Sequence, residues 1–89
     1  MTGKQVFYEG KVQGVGFRYY VKELARGFEV NGWVRNLPDG RVELQISGSE
    51  EEASDFLEAI RDSQLNGHIK KEQIHPIASF SSKGFEILP

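Results

Sequence analysis

The sequence predicts an α+β fold in which an antiparallel sheet carries two helices on one face. Hydrophobic periodicity alternates between two residues and 3.6 in the order strand, helix, strand, strand, helix, strand, with one short strand after it. A Pro-Asp-Gly turn joins the two middle strands directly. Two strand-helix-strand halves in succession, each needing a right-handed crossover, then place both helices on the same side of the sheet.

Residues 5–12, QVFYEGKV, set Val6, Tyr8 and Val12 on one period-two face, with Gly10 among them at a place where another segment passes close. From Phe17 the period changes, and Phe17, Tyr20, Val21, Leu24 and Phe28 follow helical spacing. Gly27 sets the expected end of that helix at Phe28 or Glu29. Residues 30–37, VNGWVRNL, read as a strand, and Pro38-Asp39-Gly40 supplies a fixed φ followed by a glycine for the turn. Val42, Leu44 and Ile46 then alternate with Arg41, Glu43, Gln45 and Ser47, whose polar face is expected to look at solvent.

Ser49-Glu50-Glu51-Glu52 has capping-box form and puts carboxylates at the positive end of a helix dipole. The helix it opens buries Ala53, Phe56, Leu57 and Ile60, extending to Gln64 or Leu65, with Asn66-Gly67 as a left-handed stop. Residues 68–77 and 84–88 are weaker strands joined by a Ser-rich connection, and Pro76 belongs at a sheet edge or a strand end. The whole is a ferredoxin-like βαββαβ sandwich with a short extra C-terminal strand. That fold hosts unrelated activities and is silent on function.

At 89 residues the chain is expected to form a single domain, 1–89, around one core. A net charge of −2 gives no basic field to draw nucleic acid or an anionic membrane, so any anion must be captured locally. Without cysteine there is no disulfide, thiolate nucleophile or cysteine metal site, which suits a cytoplasmic location. No apolar run approaches the roughly 18 residues that span a bilayer, and no signal peptide is legible. A monomer is the simplest expectation.

The stretch Gly10-Lys11-Val12-Gln13-Gly14-Val15-Gly16-Phe17-Arg18 falls between the first strand and the first helix. Unpaired amides at a helix N-terminus, with glycines that lift the Cβ restriction on φ, can wrap an anion, and Arg18 can add a bidentate guanidinium. On the loop alone, a glycine-rich turn with a solvent-facing arginine accounts for the pattern equally well. It is not a dinucleotide fingerprint, because Tyr19 stands where the third glycine belongs, and it is not a P-loop, because no Gly-Lys-Ser/Thr follows.

A second cluster, Gly32-Trp33-Val34-Arg35-Asn36 with Asp39-Gly40-Arg41-Val42 and Gly48, occupies the second strand and its hairpin. Together the two clusters resemble the acylphosphatase family over essentially the whole chain. Tyr8 departs from the family's usual aliphatic residue there, and residues 68–82 carry no motif that matches. The resemblance implies hydrolysis of the carboxyl-phosphate bond of small acyl phosphates without a metal or cofactor. It also implies that Arg18 and the backbone amides of Gln13, Gly14, Val15, Gly16, Phe17 and Arg18 bind the phosphoryl group, and that Asn36 orients the attacking water.

Chemistry makes so sparse a set plausible. The leaving carboxylate has a conjugate acid of pKa about 4, so no general acid is required. A loose phosphoryl transition state reduces the task to holding charge and placing the nucleophile in line. Whether Asn36 lies at the same end of the sheet as Arg18 decides its role, since the first strand is expected between the third and fourth, with the second one strand further away.

Other residues favour simpler readings. His68 and His75 have no carboxylate at ligand spacing and fit surface or edge positions better than a metal pair. Glu50 to Glu52 read as a solvated helix start, Trp33 as a packing residue rather than a ligand stack, and Lys70-Lys71 as solvated charge. Gly14, Gly16, Phe17 and Tyr20 overlap an RNA-recognition signature in part, but helical spacing from Phe17 and an acidic pI near 5.6 oppose it. A repurposed domain without activity is a third reading, with no sequence feature in its favour.

Overall fold

A computed structural model describes residues 1–89. Its elements are β1 (Thr2–Gly10), α1 (Phe17–Ala25), β2 (Val30–Asn36), β3 (Val42–Gly48), α2 (Glu50–Arg61), a 3₁₀ turn (Gln64–His68), β4 (Ile69–Ile77) and β5 (Phe85–Ile87). The strands form one sheet in the order β4-β1-β3-β2-β5. Sixteen buried residues make the core, with Val6, Tyr8, Val34, Val42, Leu44 and Ile46 from the sheet meeting Phe17, Val21 and Ala25 of α1 and Ala53, Phe56, Leu57 and Ile60 of α2. Alternation and helical spacing assign most of these to the inner faces; Ala25 and Val34 join them, while Tyr20, Leu24 and Phe28, expected on the buried face of α1, are only partly buried against the core.

Several expectations need correction. The sheet is mixed rather than antiparallel throughout, because β5 runs parallel to β2, Val34 opposite Ile87. β1 spans residues 2–10 instead of 5–12: Thr2 and Gly3 are drawn into the ladder by β3, and Gly3 also by β4. Val12 lies past the strand end yet is still buried. α1 stops at Ala25, where Arg26, Gly27 and Phe28 donate to Glu23 O, Leu24 O and Ala25 O in a tightened i→i−3 turn. Phe28 nevertheless packs on Phe56, ring centroids 5.6 Å apart.

Asn66 and Gly67 form no left-handed stop. They lie in the 3₁₀ turn, and Asn66 Nδ2 donates to Arg61 O at 2.9 Å. Ser49 caps α2 by accepting from Glu52 N–H at 3.1 Å. The Glu52 carboxylate accepts instead from Glu29 N–H, tying α2 to the start of β2.

The polar face of β3 is not open to solvent as expected. Ser47 is fully buried, because the chain from β4 to β5 crosses that face and Phe80 N–H donates to Ser47 Oγ at 3.1 Å. Glu43 is 4% exposed and accepts from Gln5 Nε2, Arg35 Nε and Gln45 Nε2 at 2.8, 2.9 and 3.2 Å. Burial alone pushes its carboxyl up, but these donors and the Arg35 charge overcome that and hold it below the usual carboxylate range. Pro76 sits on edge strand β4, where a missing N–H is tolerated. Gly10, at φ 129°, meets the close approach expected of it: a Cβ there would stand 2.4 Å from His68 O.

Candidate active site

Register brings the two sequence clusters to one end of the sheet. Val42 pairs with Tyr8 of β1 on one side and with Asn36 of β2 on the other, so the three lie on a line across the strands. Asn36 follows buried Val34 by two residues and therefore shares its helix-side face. At that end and on that face α1 begins. The result is a pocket of about 200 Å³ lined by Val12, Gly14, Gly16, Phe17, Arg18, Tyr19 and Asn36. Grooves of about 330 and 370 Å³ elsewhere join neither Arg18 nor Asn36.

The loop owes its shape to two left-handed glycines, Gly14 at φ 75° and Gly16 at φ 77°. A Cβ at either would meet nothing within 4 Å, so conformation and not space demands glycine. Gly16 is the N-cap of α1 and offers no side-chain acceptor, and no acidic residue occupies the first turn. Tyr20 N–H is the first donor of the helix ladder, to Gly16 O at 3.0 Å, and no amide from Gln13 to Tyr19 finds an acceptor within the chain. The positive end of the helix dipole thus lies at this cavity, on a loop whose amides have no acceptor within the chain.

Phe17 anchors the loop by burying its ring against Tyr8, centroids 5.3 Å apart. Arg18 is half-buried, and its Nη1 lies 3.5 Å from Leu88 O, a long contact that leaves most of the guanidinium's donors free. Asn36 Oδ1 is buried with no partner, an acceptor of the kind that a bound water would satisfy. Arg18 and Asn36, whose common location the sequence left undecided, share one cavity.

Not every residue expected at the site lines it. Gly14, Gly16, Phe17 and Arg18 do, whereas Gln13 and Val15 do not. Val15 packs on the core, and the Gln13 side chain crosses to the β2–β3 hairpin. Nothing in the sequence assigns Tyr19 or Val12 to the pocket that they line. Tyr19 stands 69% exposed at the pocket and Val12 is buried at its wall, positions that depend on how the loop curls.

The remaining candidates lie elsewhere. His75 is exposed on β4, edge-on to Phe7 at 5.9 Å, and His68 ends the 3₁₀ turn. No group of three or more His, Asp or Glu side chains gathers where it could hold a metal ion. Glu50 accepts from Thr2 Oγ1 at 2.9 Å and lies 3.6 Å from Lys4 Nζ, contacts that hold its carboxyl below the usual range. Trp33 lies under the Arg35 guanidinium at 5.0 Å. Phe17 and Tyr20 belong to α1, with Phe17 in the core, and not to a strand face on which bases could stack.

Comparison with known proteins points to one family. The acylphosphatase family model matches residues 4–87. An acylphosphatase of Archaeoglobus fulgidus is 38% identical over 85 residues, covering 90% of this chain and 96% of that one. An acylphosphatase of Methanospirillum hungatei is 44% identical over 66 residues, 74% of this chain and 71% of its own. The crystal structure of acylphosphatase from Bacillus subtilis superposes with a TM-score of 0.88 at 32% identity, covering both chains completely.

Proposed function

The chain belongs to the acylphosphatase family, enzymes that hydrolyse acyl phosphates, and from that premise we propose that the 13–18 loop captures the phosphoryl group while Asn36 places the attacking water. The observation that carries this reading is the single pocket shared by Arg18, the left-handed loop and the unpartnered Asn36 Oδ1. Free loop amides and the Arg18 guanidinium hold the equatorial phosphoryl oxygens, in a geometry fixed before the substrate arrives. The Asn36 carboxamide accepts from a water through Oδ1 and directs its oxygen at phosphorus.

The water oxygen forms a new P–O bond as the bond from phosphorus to the acyl oxygen breaks, and that electron pair leaves with the carboxylate. A neutral carboxamide is no base, so the water's proton passes to a phosphoryl oxygen. An acyl phosphate dianion and water thus give a carboxylate and dihydrogen phosphate. The leaving group is already a weak base, so neither general acid nor Lewis acid is needed. We propose as well that the enzyme works without metal or cofactor, as a cytoplasmic monomer in which residues 1–89 act as one domain on small acyl phosphates.

The test is hydrolysis of an aryl acyl phosphate in the presence of chelator, with inorganic phosphate as inhibitor. Wild-type turnover should survive the chelator and be inhibited competitively. Arg18→Ala should lower kcat/KM by roughly 10²–10³-fold, as loss of a transition-state donor does. Asn36→Ala should lower kcat by about 10²-fold or more with phosphate inhibition retained. No turnover by folded wild-type protein would favour a repurposed domain.

A further inference from the structure

The two halves of the site ride on separate segments, the phosphate loop on β1–α1 and Asn36 on the β2–β3 hairpin. The β1–β3 ladder stops at the Tyr8–Val42 pair, so past that point no backbone bond joins loop to hairpin. One side chain does. Gln13 Nε2 donates to Leu37 O at 2.8 Å and to Arg41 O at 2.9 Å. Leu37 follows Asn36 directly, and Arg41 precedes Val42, the cross-strand partner of Asn36. The same two carbonyls serve the hairpin itself, Leu37 N–H donating to Arg41 O at 2.8 Å and Gly40 N–H to Leu37 O at 3.1 Å.

We propose that the Gln13 side chain is a positioning residue that sets Asn36, and the water it holds, relative to the phosphate loop. This role is distinct from any that its backbone amide plays toward phosphate, and it rests on the acylphosphatase reading above. The contact needs two N–H donors on one group, because both partners are carbonyls, and the neutral carboxamide supplies them. A carboxylate in its place would set an acceptor against two acceptors, and an apolar side chain would leave the hairpin neck untethered. The step that suffers is attack, not capture, since the loop amides and Arg18 stay in place. A misplacement near 1 Å can cost on the order of 10²-fold in rate.

The experiment compares wild type, Gln13→Met and Gln13→Glu, alone and in an Asn36→Ala background, by kcat for an aryl acyl phosphate and by Ki for inorganic phosphate. Gln13→Met should lower kcat about tenfold to a hundredfold and Gln13→Glu more, with Ki within about threefold of wild type. In the Asn36→Ala background Gln13→Met should cost less than about threefold further, because there is no longer a placed water to lose. Full kcat in both single variants overturns the inference alone. So does a parallel loss of kcat and phosphate affinity, or a full additive loss in the Asn36→Ala background, either of which marks a general loosening of the loop. Wild-type protein that turns nothing over overturns the inference together with the functional reading.

Discussion

Gly16→Ala separates conformation from space at the loop. Gly16 holds φ 77° and ψ 16°, and an added Cβ would meet nothing within 4 Å, so the substitution carries no clash. An L-residue in the left-handed region costs roughly 1–2 kcal/mol; alanine also stiffens the unfolded chain, yet where the native φ does not suit it the exchange is net destabilising by more than about 0.4–1 kcal/mol. It does not suit it here, so a net cost of about 1 kcal/mol or more remains. If the loop keeps its shape, the whole cost falls on stability, a drop of roughly 4–8 °C in Tm for each kcal/mol in a domain of this size.

If instead residue 16 swings out of the left-handed region, stability recovers and phosphate must select the original shape. Each 1 kcal/mol then weakens phosphate binding about fivefold. Urea unfolding with and without phosphate, together with Ki for phosphate, measures both parts, whose sum should come to at least about 1 kcal/mol. Gly16→Asn should recover most of the loss, because asparagine visits this region more readily. Alanine as stable and as tight for phosphate as wild type, or asparagine as damaging as alanine, would refute the conformational account.

Two further substitutions probe the buried polar groups. Glu43→Gln should cost roughly 1–3 kcal/mol at pH 7, nearer the lower figure because Arg35 is 44% exposed and solvent screens the pair. The Glu43 pKa is lowered in the folded protein, so its contribution is present above the unfolded value of about 4.3 and fades as pH falls through the folded one; urea midpoints of wild type and variant should converge below about pH 4. Tyr8→Phe removes a buried hydroxyl that stands near the Glu72 carboxylate without closing a hydrogen bond of good geometry to it, and should change stability at pH 7 by no more than about 1 kcal/mol. Burial first, and the Glu72 carboxylate second, raise the Tyr8 phenol well above its usual value, so wild type should lose stability relative to Tyr8→Phe as pH rises past about 10 in unfolding titrations.

The sequence revealed what repeats locally and missed what depends on a partner. Val42, Leu44 and Ile46 alternate, and Phe17, Val21, Ala53, Phe56, Leu57 and Ile60 keep helical spacing, because each sits on one face of a regular element. Thr2 and Gly3 carry no such pattern and become strand only because neighbouring strands pair with them. The direction of β5 is equally silent, since three residues beside β2 have the same composition whichever way they run. At the site, Arg18 and Asn36 stood out through their motifs. The Gln13 side chain did not, because its partners are two carbonyls 24 and 28 residues away, and backbone acceptors leave no mark in side-chain identity.

Sheet register is what turns two distant motifs into one site. Asn36 reaches the helix side of the sheet because it lies two residues after Val34, which is fully buried there. A slip of one residue between β2 and β3 would turn Asn36 to the opposite face and Val34 out of the core together. The apolar residues that make that slip costly, Val34, Val42 and Leu44, are therefore also the ones that keep the carboxamide facing the loop. On the other side, Tyr8 pairs with the same Val42 and packs on Phe17, which opens α1. Core packing thus fixes both halves to one cross-strand row, and the two Gln13 hydrogen bonds make the remaining adjustment between them.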